Sequence, residues 1–112
     1  MVPGRMERRR SPRHLCSHLV VVRQEVSNSA DSTSTAVLED LSREGAAISL
    51  ETPLEAGTII ELSAPGLWVR AQVRYCRPRE QDFLMGLEFA DGFRWEPHLW
   101  QPDHLFLPPP KE

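Results

Sequence analysis

Along this 112-residue chain, apolar and polar positions alternate with a period of two in most segments long enough to form an element. The clearest is 68–76, where Val69, Ala71, Val73 and Tyr75 fall on one face and Arg70, Gln72 and Arg74 on the other. Successive side chains of an extended chain point to opposite faces, so this is a strand with one buried and one wet side. Residues 83–89 repeat the pattern through Phe83, Met85, Leu87 and Phe89; Gly86 breaks the outer row, where a bulge or a close packing contact is expected. Further strands are predicted at 36–41, with Ala36, Leu38 and Asp40 opposite Val37, Glu39 and Leu41, and at 46–50 and 58–62. The run Leu19-Val20-Val21-Val22 is β-branched and too short for a helix, which makes 15–26 a strand as well.

The connections carry turn residues. Residues 27–35 read as a polar loop, Ala64-Pro65-Gly66 as a tight turn and 77–82 as a charged hairpin connection. In Ser42-Arg43-Glu44-Gly45 the glycine is available for a positive φ that other residues resist. Six short strands at regular spacing indicate an all-β fold, a small six-stranded antiparallel split barrel. Residues 1–13, with Pro3, Gly4, Pro12 and no apolar pattern, read as a flexible basic arm, and 14–91 as the barrel. Residues 92–112 hold Trp95, Trp100 and Phe106 among repeated prolines, which forbid a long helix. A helical turn or two near 97–101, packing its tryptophans on the barrel mouth, should precede a Pro-rich tail.

Charge adds an asymmetry to this picture. Residues 1–23 carry six arginines against one acid, and the rest carries seven basic and fifteen acidic groups, so a net charge of −3 conceals a basic arm on an acidic body. That distribution favours a local anion site over a surface gripping long nucleic acid. Arginine supplies twelve of the thirteen basic residues, and its planar fork suits phosphate and guanine better than an ammonium does. Two cysteines, Cys16 and Cys76, form no disulfide framework and fit a reducing cytoplasm. No apolar run is long enough to span a bilayer, and no signal-peptide core follows the N-terminal charges.

Two short elements concentrate the chemistry: Arg9-Arg10-Ser11-Pro12-Arg13 before the first strand, and Asp40-Leu41-Ser42-Arg43-Glu44-Gly45 between two strands. Separately, they read as a solvated tail and an ordinary turn. Together, as Arg9-x-x-x-Arg13 followed by Asp40-x-Ser42-x-x-Gly45, they resemble the R-x-x-x-R arm and D/N-x-S-x-x-G turn of the PilZ domain family. Met85-Gly86-Leu87-Glu88-Phe89 is similar to the closing strand of that barrel, so the resemblance runs from about Arg8 to Asp91. It implies a six-stranded barrel whose arm folds over cyclic di-GMP, often as an intercalated pair of ligand molecules. Arg5-x-x-x-Arg9 offers a second register for the arm.

The residue chemistry agrees with what the resemblance implies. A guanidinium can meet guanine O6 and N7 together, a pairing worth roughly 1–3 kcal/mol in discrimination, and Arg9 and Arg13 are the candidates. Arg10 is a candidate for phosphate. An ionised Asp40 can accept from guanine N1–H and its N2 amine, Ser42 can add a hydroxyl contact, and Gly45 lets the backbone turn sharply. The expected function is a cytoplasmic, non-catalytic cyclic di-GMP sensor with a downstream protein partner. The rival is a PilZ-like interaction module that binds no nucleotide. RNA or single-stranded DNA binding is disfavoured by the acidic body and the lack of an aromatic stripe on the strands. His14-x-Cys16-x-His18 places three ligand atoms on one strand face, an arrangement more often incidental than metal-binding. No catalytic motif is visible.

Overall fold

A computed structural model describes residues 12–24 and 32–106. Alternation becomes pairing along six strands: β1 (His14–Gln24), β2 (Ser32–Leu41), β3 (Gly45–Leu50), β4 (Ile59–Ala64), β5 (Leu67–Pro78) and β6 (Phe83–Phe89). All neighbours are antiparallel and the sheet closes in the order β1-β2-β3-β6-β5-β4. Closure pairs every described strand on both sides, most briefly at the β1–β4 seam, which shortens the free edges that another chain could template upon. Residues 32–35, expected as loop, instead extend β2 and pair with β1 as far as Gln24 opposite Ser32. Residues 25 and 26 of the predicted first strand lie outside the described residues.

The inward rows meet in one core whose largest fully buried side chains are Trp95, Leu38, Ile48, Ile60, Met85 and Val73. Each such side chain contributes roughly 1.5–3 kcal/mol relative to exposure. Strict alternation fails at three bulges, in β1 between Leu15 and His18, in β2 between Leu38 and Asp40, and in β5 between Val73 and Tyr75. A bulge sets two residues against one on the partner strand, so every side chain beyond it changes face. Asp40 therefore does not share the inward face of Ala36 and Leu38; Leu41 takes the buried place instead. Tyr75 likewise leaves the core row after Val73, and Cys76 packs against the core in its stead.

Among the described residues there is no helix: residues 97–99 form a turn, closed by the Leu99 amide donating to Glu96 O at 2.9 Å. The prolines at 97 and 102 leave too short an interval for a helix to nucleate. The tryptophans nevertheless reach the barrel mouth as expected. Trp95 is buried and its indole N–H donates to Trp100 O at 2.8 Å, while its backbone amide donates to Arg43 O at 3.0 Å. The C-terminal segment also lines the first half of β1, where Ser17 N donates to Asp103 O and Phe106 N to Leu15 O, at 3.2 and 2.8 Å. This matters because β1 pairs with β4 only through Val22, Arg23 and Gln24. No helix of the described residues is long and apolar enough to cross a membrane.

Candidate functional site

The three-residue loop Ser42-Arg43-Glu44 joins β2 to β3, and its conformation is fixed from several sides. Ser42 N donates to Gly45 O at 2.8 Å and the Ser42 hydroxyl to the same oxygen at 3.2 Å. Phe89 N donates to Glu44 O at 2.8 Å, and Arg43 pairs with Glu96 at 3.1 Å. Together with the Trp95 bond, these contacts tie the turn to β6 and the C-terminal segment. The role of Gly45 differs from the one expected. It has no positive φ, a conformation seen at Gly57, Gly66 and Gly92. Its constraint is close approach: paired with Glu88 across β3 and β6, it leaves no room for a Cβ, which would overlap the carbonyl oxygen of Leu87.

Beside this turn lies an open cleft of about 270 Å³. Its lining includes Arg13, Asp40, Ser42 and Gly45, four of the six residues singled out from the sequence. Arg9 and Arg10 lie outside the described residues. Arg13, just before β1, sends its guanidinium to within 3.9 Å of the Asp40 carboxylate; its side chain is 56% exposed and that of Asp40 only 15%. Burial raises the Asp40 carboxyl above its ordinary value of 3.8, and Glu39 adds to the rise; Arg13 and the Ala47 amide oppose it without cancelling it. Such a carboxylate has acceptor capacity that its own surroundings leave under-used.

The other wall was missed in the sequence. Tyr75, turned outward by the β5 bulge, lies across Gly86 of β6, where any Cβ would overlap the ring. The cleft thus gains a flat aromatic group, with the Arg77 guanidinium 4.6 Å from the ring centroid. Arg74 and Glu88, paired at 2.9 Å, also line it. The readable signal was Gly86, a strand-interior glycine marking close contact; what it made room for was not readable. Of the other arginines considered, Arg43 pairs with Glu96 and Arg70 with Asp91, and neither lines the cleft.

The His14, Cys16 and His18 cluster is divided among separate partners. His14 meets Trp95 edge-on, the Cys16 thiol donates to Leu38 O at 3.6 Å, and His18 Nδ1 accepts the Asp103 amide at 3.0 Å. An Nδ1 that accepts an N–H carries no proton, so the nearby Asp103 carboxylate makes no ion pair with it in this tautomer. Burial pushes the Cys16 thiol up to about 11. Among the described residues, no group of three or more His, Cys, Asp or Glu is placed to hold a metal.

A closed barrel with a cation, a half-buried carboxylate and an aromatic ring around one open cleft is a small binding module. Comparison with known families matches residues 7–94 to the PilZ domain, and the chain belongs to that family. PilZ domains are binding and effector modules rather than enzymes, and the family is generally associated with cyclic di-GMP. No curated protein matches the chain.

Proposed function

We propose that this protein binds cyclic di-GMP in the cleft beside the β2–β3 turn, and that binding changes the conformation of the arm and the surface shown to a protein partner. The observation that carries this reading is the convergence of Arg13, Asp40, Ser42 and Tyr75 on one cleft. Asp40 accepts from the guanine N1–H and N2 amine, and the Arg13 fork meets O6 and N7. Tyr75 offers a face for the purine. Because the Ser42 hydroxyl proton is committed to Gly45 O, Ser42 serves the ligand as an acceptor and the turn as a brace.

Cleft volume supports a reading in which the arm holds the remainder of the ligand. At about 270 Å³ the cleft is at the lower edge of small-molecule sites, which run from roughly 300 to 1,000 Å³. It suits one guanosine; the second guanine and the phosphates need Arg9 and Arg10. Ordering residues 9–13 costs on the order of 5–10 kcal/mol of backbone entropy, and a micromolar site must still net about −8 kcal/mol. A single arginine cannot supply both. Calorimetric titration with cyclic di-GMP should therefore show binding to the native protein and none measurable for Arg9→Ala or Arg13→Ala. Near-native affinity in both variants would remove the model, and protease cleavage of the arm unchanged at saturating nucleotide would remove its conformational part.

A further inference from the structure

A second cavity, separate from the nucleotide cleft, opens beside Val20 of β1, between the β4–β5 hairpin and the C-terminal segment. It encloses about 270 Å³ and runs inward from Ala64, Leu67 and Leu99 to Leu38, Phe89 and Trp95. Its chemistry is uniform: none of the described residues lining it is charged. The one hydroxyl, Ser63, already accepts the Val21 amide at 2.9 Å. A charged ligand would lose its hydration here and gain no partner. The rim continues the same character outward, since Leu67 and Leu99 are 47% and 56% exposed although both face the opening.

The opening follows from the topology. The β1–β4 ladder is confined to Val22, Arg23 and Gln24, with one further bond from Val21 N to the Ser63 hydroxyl, and the C-terminal segment covers β1 at Leu15 and Ser17, which leaves the wall open beside Val20. Exposed leucines leading into an apolar interior are the arrangement of an entry path, whereas a core vacancy left by loose packing is closed to the surface.

We propose that this cavity is a binding site for an uncharged aliphatic chain of medium length. Dry apolar cavities of roughly 150 Å³ take up benzene, and this one is nearly twice as large. At roughly 30 Å³ for a water-sized group, it accepts a chain of about nine methylene-sized groups, with the polar head left outside at Leu67 and Leu99. The chemistry is shared by a free amphiphile and by the tail of a membrane lipid.

Trp95 and Trp100 line the cavity and Trp68 does not, so tryptophan emission reports on occupancy in the Trp68→Phe protein. Titration with 8-bromo-1-octanol, whose bromine quenches indoles on contact, should give saturable quenching. Leu99→Asp, a change at the exposed rim, should weaken it by roughly tenfold or more. Ala64→Phe, which fills the mouth, should abolish it, with circular dichroism and the melting temperature checking the fold. If Ala64→Phe fails to fold, the Leu99→Asp comparison decides. Co-sedimentation with phosphatidylcholine vesicles distinguishes the sources: sedimentation abolished by Leu99→Asp identifies a lipid tail, and quenching without sedimentation a free amphiphile. Quenching that is absent, unsaturable or unchanged in Leu99→Asp overturns the proposal. So does quenching that appears only after removal of residues 107–112, or a dimer dissolved by Leu99→Asp, because the cavity would then hold the chain's own tail or a second copy.

Discussion

The polar cleft and the apolar cavity enclose the same volume, about 270 Å³ each, and are set against opposite faces of β2. Asp40 faces one, and Leu38 and Leu41 face the other. A regular strand cannot produce that sequence of faces, because Leu38 and Asp40 would share a side while Leu41 took the opposite one. The bulge between Leu38 and Asp40 resolves the conflict: it turns the acid outward and returns Leu41 to the core. The bulge in β5 does the same for Tyr75 and Cys76. The difference between the two cavities therefore originates in local departures from pleating, and composition follows from them.

Trp95 is where the two regions are joined, and its removal should produce the largest effect. Its ring forms part of the apolar floor and its indole N–H holds Trp100 O, so Trp95→Ala takes away both a core anchor and a side-chain bond within the C-terminal segment, whose backbone amide at 95 supports the turn through Arg43 O. A loss of about 3–5 kcal/mol is expected, read from urea denaturation, with the apolar cavity enlarged. A loss below about 1 kcal/mol would show that the C-terminal segment merely rests on the barrel. Arg13→Ala should separate the regions instead. The side chain is largely exposed and its 3.9 Å pair with Asp40 is loose, so stability should stay within about 0.5 kcal/mol. Nucleotide affinity should fall by roughly a hundredfold or more. Equal affinity by calorimetry would place the cation's role elsewhere in the arm.

Much of this fold was legible in the alternation of residues 68–74 and 83–89, because burial of one sheet face imposes a period of two. The closing strand was read with its observed bounds, Phe83–Phe89. Misreadings fall where backbone irregularity overrides the period: Asp40 and Tyr75 each lie just beyond a bulge, and no side chain announces which residue will be doubled. The site was legible in part because Arg13, Asp40, Ser42 and Gly45 occur in a motif. Tyr75 was not, since its approach to Gly86 depends on pairing between β5 and β6. Gly45 was singled out for a positive φ that it does not adopt: its constraint comes from Leu87, 42 positions away in the chain, and not from the turn's own φ. The apolar cavity had no sequence signal, because its lining is indistinguishable from core.

Gly86→Ala tests the polar cleft's aromatic wall with a smaller effect. The added methyl overlaps the outer atoms of the Tyr75 ring, which can swing aside, and so it does not meet fixed backbone as a methyl at Gly45 would. Stability should fall by about 1–2 kcal/mol, while nucleotide affinity should fall by roughly tenfold as the ring leaves the wall. Near-ultraviolet circular dichroism would register the displaced tyrosine. An unchanged affinity together with a displaced ring would remove Tyr75 from the site. The apolar cavity should be indifferent to this change, since neither residue lines it.

The smallest effect, and the one that divides the acids of β2 most cleanly, is the response to pH. Glu39 and Asp40 are adjacent yet shifted in opposite directions. Bonds from Arg79, at 3.2 and 2.8 Å, hold Glu39 below its ordinary 4.5, whereas burial holds Asp40 above 3.8. A lowered folded value means that Glu39 contributes stability above pH 4.5, lost as the pH falls through that folded value. A raised folded value has the reverse sign: the folded protein holds the Asp40 proton more tightly than the unfolded chain does, so charging this carboxyl costs stability as the pH rises. Asp40→Asn should consequently stabilise the protein at neutral pH, by up to about 1 kcal/mol, with the gain disappearing below 3.8. Glu39→Gln should destabilise at neutral pH and become neutral in acid. Binding should follow the same group, because protonation converts the Asp40 acceptor into a donor facing guanine N–H groups. Cyclic di-GMP affinity should weaken as the pH falls toward and through the raised value in the native protein. In Asp40→Asn it should be weaker throughout and nearly flat over that range. Urea melts and calorimetry at neutral and acidic pH read both arms. A native affinity independent of pH across the interval would mean that the ligand does not touch this carboxylate.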